Sequence, residues 1–219
     1  MNRLDVTRKF SNCKAYQLLE QDLIETFDYV EPVAQNSKTY SHRYIEIILR
    51  AGTEFENICK QILLENGFTE AQLEHTNIED YFEVVKQFEL FDYCFSSPLL
   101  NDWSALGLTG SNVSPFMMWT ECNTYGDVKN NYNSANLKHW YQIYNSVKHN
   151  REKNFELANL ENAIFSVVAL GILLCSQYGM NAFDPYKEIA MYHTDDNGND
   201  FLPQTIWKVA HPDSMPNNF

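Results

Sequence analysis

The stretch SHRYIEIILRAGTEFENICKQILLE, residues 41–65, decides the fold. Ile45, Ile48, Leu49, Gly52, Phe55, Cys59, Ile62 and Leu63 recur in it at steps of three and four. At that spacing the side chains of an α-helix share one face, so the stretch reads as an amphipathic helix. Gly52 lies on the apolar stripe. It costs helix propensity there and lets a neighbouring helix come close. Asn66-Gly67 follows as a stop signal, because glycine takes the left-handed conformation that ends a helix without steric penalty.

Outward from this helix the same steps recur. Tyr16, Leu19, Leu23 and Phe27 predict a helix over about residues 14–33, with Pro32 near its end. Thr76 or Asn77 is placed to cap a helix over about residues 78–89. Residues 157–177 are apolar on nearly every side, which puts that helix at the centre of a bundle, and Tyr178-Gly179 ends it. Residues 90–134 hold no sustained period but carry Trp103, Phe116, Met117, Met118 and Trp119. They read as an ordered, irregular excursion covering the bundle, since that many large apolar side chains would not stay solvated. A fourth helix starting near Ser134 leads into Trp140-Tyr141. Near the end, Asn197-Gly198 between two short apolar runs reads as a hairpin turn, and residues 211–219 read as frayed. The expectation is an all-α, up-and-down helical bundle over residues 1–180, with an irregular insertion at 90–134 and a small C-terminal appendage at 181–219.

Composition agrees. The 219 residues include 14 Phe and 13 Tyr but only 8 Gly and 7 Pro, which suits helices around a large core and not a turn-rich β-sandwich. The net charge of −13 excludes nucleic-acid binding through a uniformly basic surface. The acid is uneven. Residues 61–104 hold nine acidic side chains against Lys86, whereas residues 134–160 hold Lys138, Lys148, Arg151 and Lys153 against Glu152 and Glu156. Cys13, Cys59, Cys94, Cys122 and Cys175 are widely spaced with no Cys-x-x-Cys, so they read as buried free thiols of a reducing compartment. The N-terminus lacks the apolar stretch of a signal peptide, and the run Ala163 to Cys175 is shorter than the ~20 residues that span a bilayer. The chain reads as soluble and cytoplasmic, with no membrane partner.

The densest polar cluster lies in that basic region: Tyr144-Asn145-Ser146-Val147-Lys148-His149-Asn150-Arg151. On a helix turning about 100° per residue, Tyr144, Lys148 and Arg151 fall within about 60° of one another. Asn145 and His149 lie about 40° apart on the adjoining strip, while Ile143 and Val147 point elsewhere and pack inward. This face suits chemistry on a phosphodiester. Histidine moves protons near neutral pH, lysine and arginine hold phosphoryl oxygens, and asparagine orients a ring or a substrate. The same residues equally suit a plain helix end whose cations complement the dipole.

Other candidates are weaker. Glu46, Glu54 and Glu56 are placed to pair with Lys148 or Arg151, or simply to face water. His42, His75, His139, His193 and His211 show no metal-ligand spacing, and His139 reads as a solvated helix histidine. Asp195 to Asp200 resembles a calcium loop without its closing glutamate and reads as a turn. Trp103, Trp119, Trp140 and Trp207 have no interleaved basic residues and read as core or interface anchors.

Trp140-Tyr141, Tyr144-Asn145, Lys148-His149 and Arg151, followed by Phe155, Ala158-Asn159-Leu160 and an apolar helix, resemble a bacterial branch of the HEPN superfamily (higher eukaryotes and prokaryotes nucleotide-binding). The resemblance covers about residues 137–176. It implies an all-α bundle and a metal-independent, cofactor-free ribonuclease of defence or toxin–antitoxin systems. Its implied partners are RNA or a nucleotide, an antitoxin or nucleotidyltransferase, and a second copy in a homodimer whose two motifs share one site. The family signature is an arginine with a polar residue after it, then a histidine one to two helical turns on. His149 falls on the histidine and Asn145 on the polar position, while Tyr144 stands in the arginine's place. The resemblance makes His149 the acid/base. Lys148 and Arg151 would hold phosphate, Asn145 would orient, and Tyr144 would hydrogen-bond where the arginine would stand. Two further readings stand beside the ribonuclease: a non-catalytic module binding a nucleotide or a protein through this face, and a structural homodimer.

Overall fold

A computed structural model describes residues 1–100, 103–105, 108–110, 112–120, 122–134, 138–179, 182–183, 193–194, 200–201 and 208–210. Among them are seven α-helices: α1 (Lys9–Thr26), α2 (His42–Glu65), α3 (Glu70–Leu73), α4 (Ile78–Gln87), α5 (Tyr125–Ser134), α6 (Trp140–His149) and α7 (Leu160–Tyr178). The protein is an all-α helical bundle in which α2 and α7 lie at the centre. They pack on each other and on α1 and α6, and α4 closes the outer side of α2.

The bounds follow from capping. The Ser41 hydroxyl accepts from the Tyr44 amide and opens α2, while Asn66 and a left-handed Gly67 (φ +95°) close it. Asn77 opens α4 with a capping box: its side chain accepts from the Glu79 amide, and Asp80 accepts from the Asn77 amide. Asn159 opens α7 by accepting from the Asn162 amide, and Gly179 (φ +84°) ends it. The strap at residues 37–41 also reaches the start of α7. The Thr39 and Ser37 carbonyls accept from the Leu160 and Glu161 amides, and the Ser41 amide donates to Ala158.

Three expectations are corrected. The first helix runs over Lys9–Thr26 and not 14–33. Its apolar steps run out at Phe27, the Thr26 hydroxyl turns back onto the Leu23 carbonyl, and Tyr29 stands in water. Pro32 lies in the connection beyond, where its carbonyl accepts from the Trp103 indole. The fourth helix starts at Trp140 and not near Ser134, because His139 has extended backbone and acts as its N-cap. The excursion at 90–134 is more regular than expected. It contains α5 and the short strands β1 (Cys94–Ser96), β2 (Trp103–Ala105), β3 (Leu108–Gly110) and β4 (Asn112–Val113).

These strands pair antiparallel in the order β2-β3-β4-β1. Beyond two further short strands, β5 (His193–Thr194) and β6 (Asp200–Phe201), β7 (Lys208–Ala210) adds to the free edge of β1. Phe95 of β1 seats this sheet on the bundle. Its ring fills the space above Gly171 of α7, where a Cβ would meet Phe95 at 2.5 Å and Tyr16 at 3.0 Å. β5 and β6 pair antiparallel on either side of Asn197-Gly198, as the hairpin reading expects. The turn itself, Trp207, His211 and residues 211–219 lie outside the described residues.

Trp103, Trp119 and Trp140 are core residues, as are nearly all the side chains of α7. By length and composition alone α7 is long and apolar enough to cross a membrane, and 94% of its apolar window is buried inside the bundle. The helix thus spends its hydrophobic surface on the protein's own core.

Candidate functional site

The site is built on α6. Trp140, Tyr141, Ile143, Tyr144 and Val147 are its buried residues and turn one face onto the bundle. Tyr144 is wholly buried, with its ring against Gly52 of α2. The close approach foreshadowed by Gly52 therefore exists, and the side chain that uses it is Tyr144. This corrects the polar-face projection: Tyr144 belongs to the core face of α6.

One turn on, Lys148 folds back over Tyr144. Its ammonium lies 4.9 Å from the ring centroid and donates to the Tyr144 hydroxyl at 2.8 Å. It also reaches the Glu56 carboxylate on α2 at 3.5 Å, and the other oxygen of Glu56 accepts from the Tyr141 hydroxyl at 2.8 Å. Partial burial pulls the Lys148 pKa down, but the Tyr144 hydroxyl and Glu56 outweigh it and hold the pKa above the usual lysine value. Burial, with Glu56 beside it, pushes the Tyr141 phenol up. Of the three glutamates named as partners for Lys148, Glu56 is the one that reaches it. Glu46 pairs instead with Arg43.

α6 ends at His149, with Asn150 as its C-cap. Arg151 therefore lies beyond the helix, in the turn that follows, which corrects its placement on a helical strip with Tyr144 and Lys148. The amide of Asn154 donates to the Ser146 carbonyl at 2.9 Å and the Asn150 carbonyl at 2.8 Å. That neutral side chain closes the helix end, so the cations are not needed for it. His149, Arg151 and Lys153 stand exposed around this end, with Glu152 the one acid among them. Asn145 is half-buried and has no side-chain hydrogen bond among the described residues. The structure thus joins Tyr144 to Lys148 and leaves His149 and Arg151 each exposed to solvent.

The sequence reading also misjudges His139. It is buried at the start of α6 against the rings of Trp119, Tyr125 and Tyr132. Its Nε2 lies 2.9 Å from the Tyr125 hydroxyl, and its backbone amide donates to the Gln142 side chain. Burial, with Lys129 adding to it, lowers its pKa to about 3, so the ring is neutral. The signal was present in the run His139-Trp140-Tyr141, where an N-cap next to two core aromatics has to go inward. Among the described residues no cluster of His, Cys, Asp and Glu could hold a metal ion.

No family model matches the chain, and no curated protein or solved structure is significantly similar to it.

Proposed function

We propose that this chain is a HEPN-like helical protein that binds RNA at the exposed end of α6 without cleaving it. The observation that carries this reading is the burial of Tyr144. At the position where the signature has a cation there is a core phenol, and the neighbouring cation, Lys148, is turned back onto it and onto Glu56. The phosphoryl-stabilising half of the site is thereby spent on packing. What stays open is the exposed His149 ring beside two cations, Arg151 and Lys153, with Glu152 between them, on a protein of net charge −13. Such a rim attracts phosphates, and its affinity falls steeply as salt rises.

The test pairs binding with cleavage. A mixed RNA pool in EDTA is expected to be retained by the protein at low salt and to stay intact. Arg151→Ala and Lys153→Ala are expected to reduce retention. Retention that ignores both substitutions, or no retention at all, sinks the proposal.

The exposure of His149 favours a second reading. Its ring is open to an acid/base role, and a second copy of the chain would bring another His149 and Arg151 to it in a homodimer. Cleavage in EDTA that disappears in His149→Ala supports this metal-independent ribonuclease. Cleavage that persists in the variant counts against it.

A further inference from the structure

A groove of about 780 Å³ opens where the strap, the start of α6 and the start of α7 meet. That volume falls within the roughly 300–1,000 Å³ of small-molecule sites. The groove is distinct from the basic rim and independent of the function proposed for it.

Several of its polar groups are already spent. Lys38 pairs with Glu161 at 2.7 Å. Asn159 caps α7, and the side-chain Nδ2 of Asn162 donates to the Leu157 carbonyl. Four side chains are not spent in this way. Lys138 and Glu156 carry charge and have no ionic partner among the described residues. Asn133 offers an amide, and Tyr40, 46% exposed, offers a ring and a hydroxyl. Ile143 and Leu157 give the groove an apolar lining.

We infer that this groove binds a small zwitterion with an apolar body, either a free amino acid or a short peptide. The ligand's ammonium meets Glu156, its carboxylate meets Lys138, and its apolar part lies against Ile143, Leu157 and the Tyr40 ring. Charge balance selects this class. Lys38 and Lys138 are offset by Glu156 and Glu161, so the lining is neutral overall and offers one unused charge of each sign. A phosphate dianion would leave Glu156 unpaired beside it, a repulsion that a zwitterion avoids.

Isothermal titration calorimetry on the full chain tests this with phenylalanine and with the dipeptide alanyl-phenylalanine, which separates the two sources. N-acetylated and C-amidated forms serve as controls, and AMP as the phosphate probe. Saturable binding of either zwitterion is expected, lost when either end is capped. Lys138→Met and Glu156→Gln are each expected to weaken it about tenfold. Both positions are exposed, so both variants should keep the parent's thermal midpoint. The inference is overturned by no saturable heat from either zwitterion, by undiminished binding of a capped form or to either variant, or by preference for AMP.

Discussion

Gly52 and Tyr144 share one space. A Cβ at position 52 would sit 2.5 Å from Cγ and 2.6 Å from Cε2 of the Tyr144 ring, and closer still to Cδ2. Alanine at an ordinary helix position would gain about 1 kcal/mol of propensity over glycine. Here the overpacking cost, about 1–3 kcal/mol, opposes that gain, because the ring is wholly buried and cannot swing aside. Gly52→Ala is therefore expected to lower the urea midpoint. In a Tyr144→Ala background the same change should turn neutral or stabilising. Equal effects in both backgrounds would contradict the contact.

An arginine at position 144 should not be tolerated. Tyr144→Arg puts a guanidinium where no water reaches and against the Lys148 ammonium, so desolvating a second cation there costs several kcal/mol. Loss of cooperative unfolding is expected, with no gain of RNA cleavage. A folded Tyr144→Arg variant that cleaves RNA in EDTA would refute this.

His139 should shape the acid limb of stability. Its folded pKa of about 3 lies below the ordinary 6.5, so between these values the unfolded chain binds the extra proton. The contribution is fully present above pH 6.5, declines as the pH falls below it and levels off near 3. At about 1.4 kcal/mol per pKa unit the total is a few kcal/mol. His139→Gln, itself less stable at neutral pH, should lose stability more slowly between pH 6.5 and 4.5. Parallel slopes from denaturant titrations at several pH values would rule the mechanism out.

The cysteines should be silent in the native protein. All five are buried and free. Burial raises the Cys13 thiol to about 12 and also lifts Cys59, Cys94 and Cys175. The thiolate is the reactive form, so a disulfide reagent at pH 8 should label none of them quickly and all five in denaturant. Rapid native labelling of any one would show that its pocket opens.

The parts of the fold that could be read from the chain are those with strong period and punctuation. Residues 41–65, bounded by Ser41 and Asn66-Gly67, form the expected helix, and Asn77 caps α4 as its spacing indicates. The C-terminal bound of the first helix is not legible because Phe27 continues the apolar steps, whereas the helix ends at Thr26 with Phe27 as its C-cap, where the Thr26 hydroxyl bonds back to Leu23. In the excursion, long-range seating decides the structure: Phe95 on Gly171 and Trp103 on the Pro32 carbonyl join positions that no local window connects. The candidate site was half legible. Residue types and local charge mark α6, and the acidic Glu56 on α2 is a legible partner for Lys148. A helical wheel drawn over the polar residues nevertheless put Tyr144 on the wrong side. Its direction is set by Gly52, more than ninety residues away in the sequence.

The strap has a bearing on the order of assembly. The first two amides of α7 are held by carbonyls at Thr39 and Ser37, more than a hundred residues earlier. The most buried helix of the protein therefore cannot complete its opening turn from its own neighbourhood. It has to wait for a distant piece of chain, which ties its first turn to global collapse and raises the loop-closure cost of the folding nucleus. The amide protons of Leu160 and Glu161 should accordingly exchange only with whole-molecule unfolding, as those of the helix interior do, although they sit at a helix end where fraying is the rule.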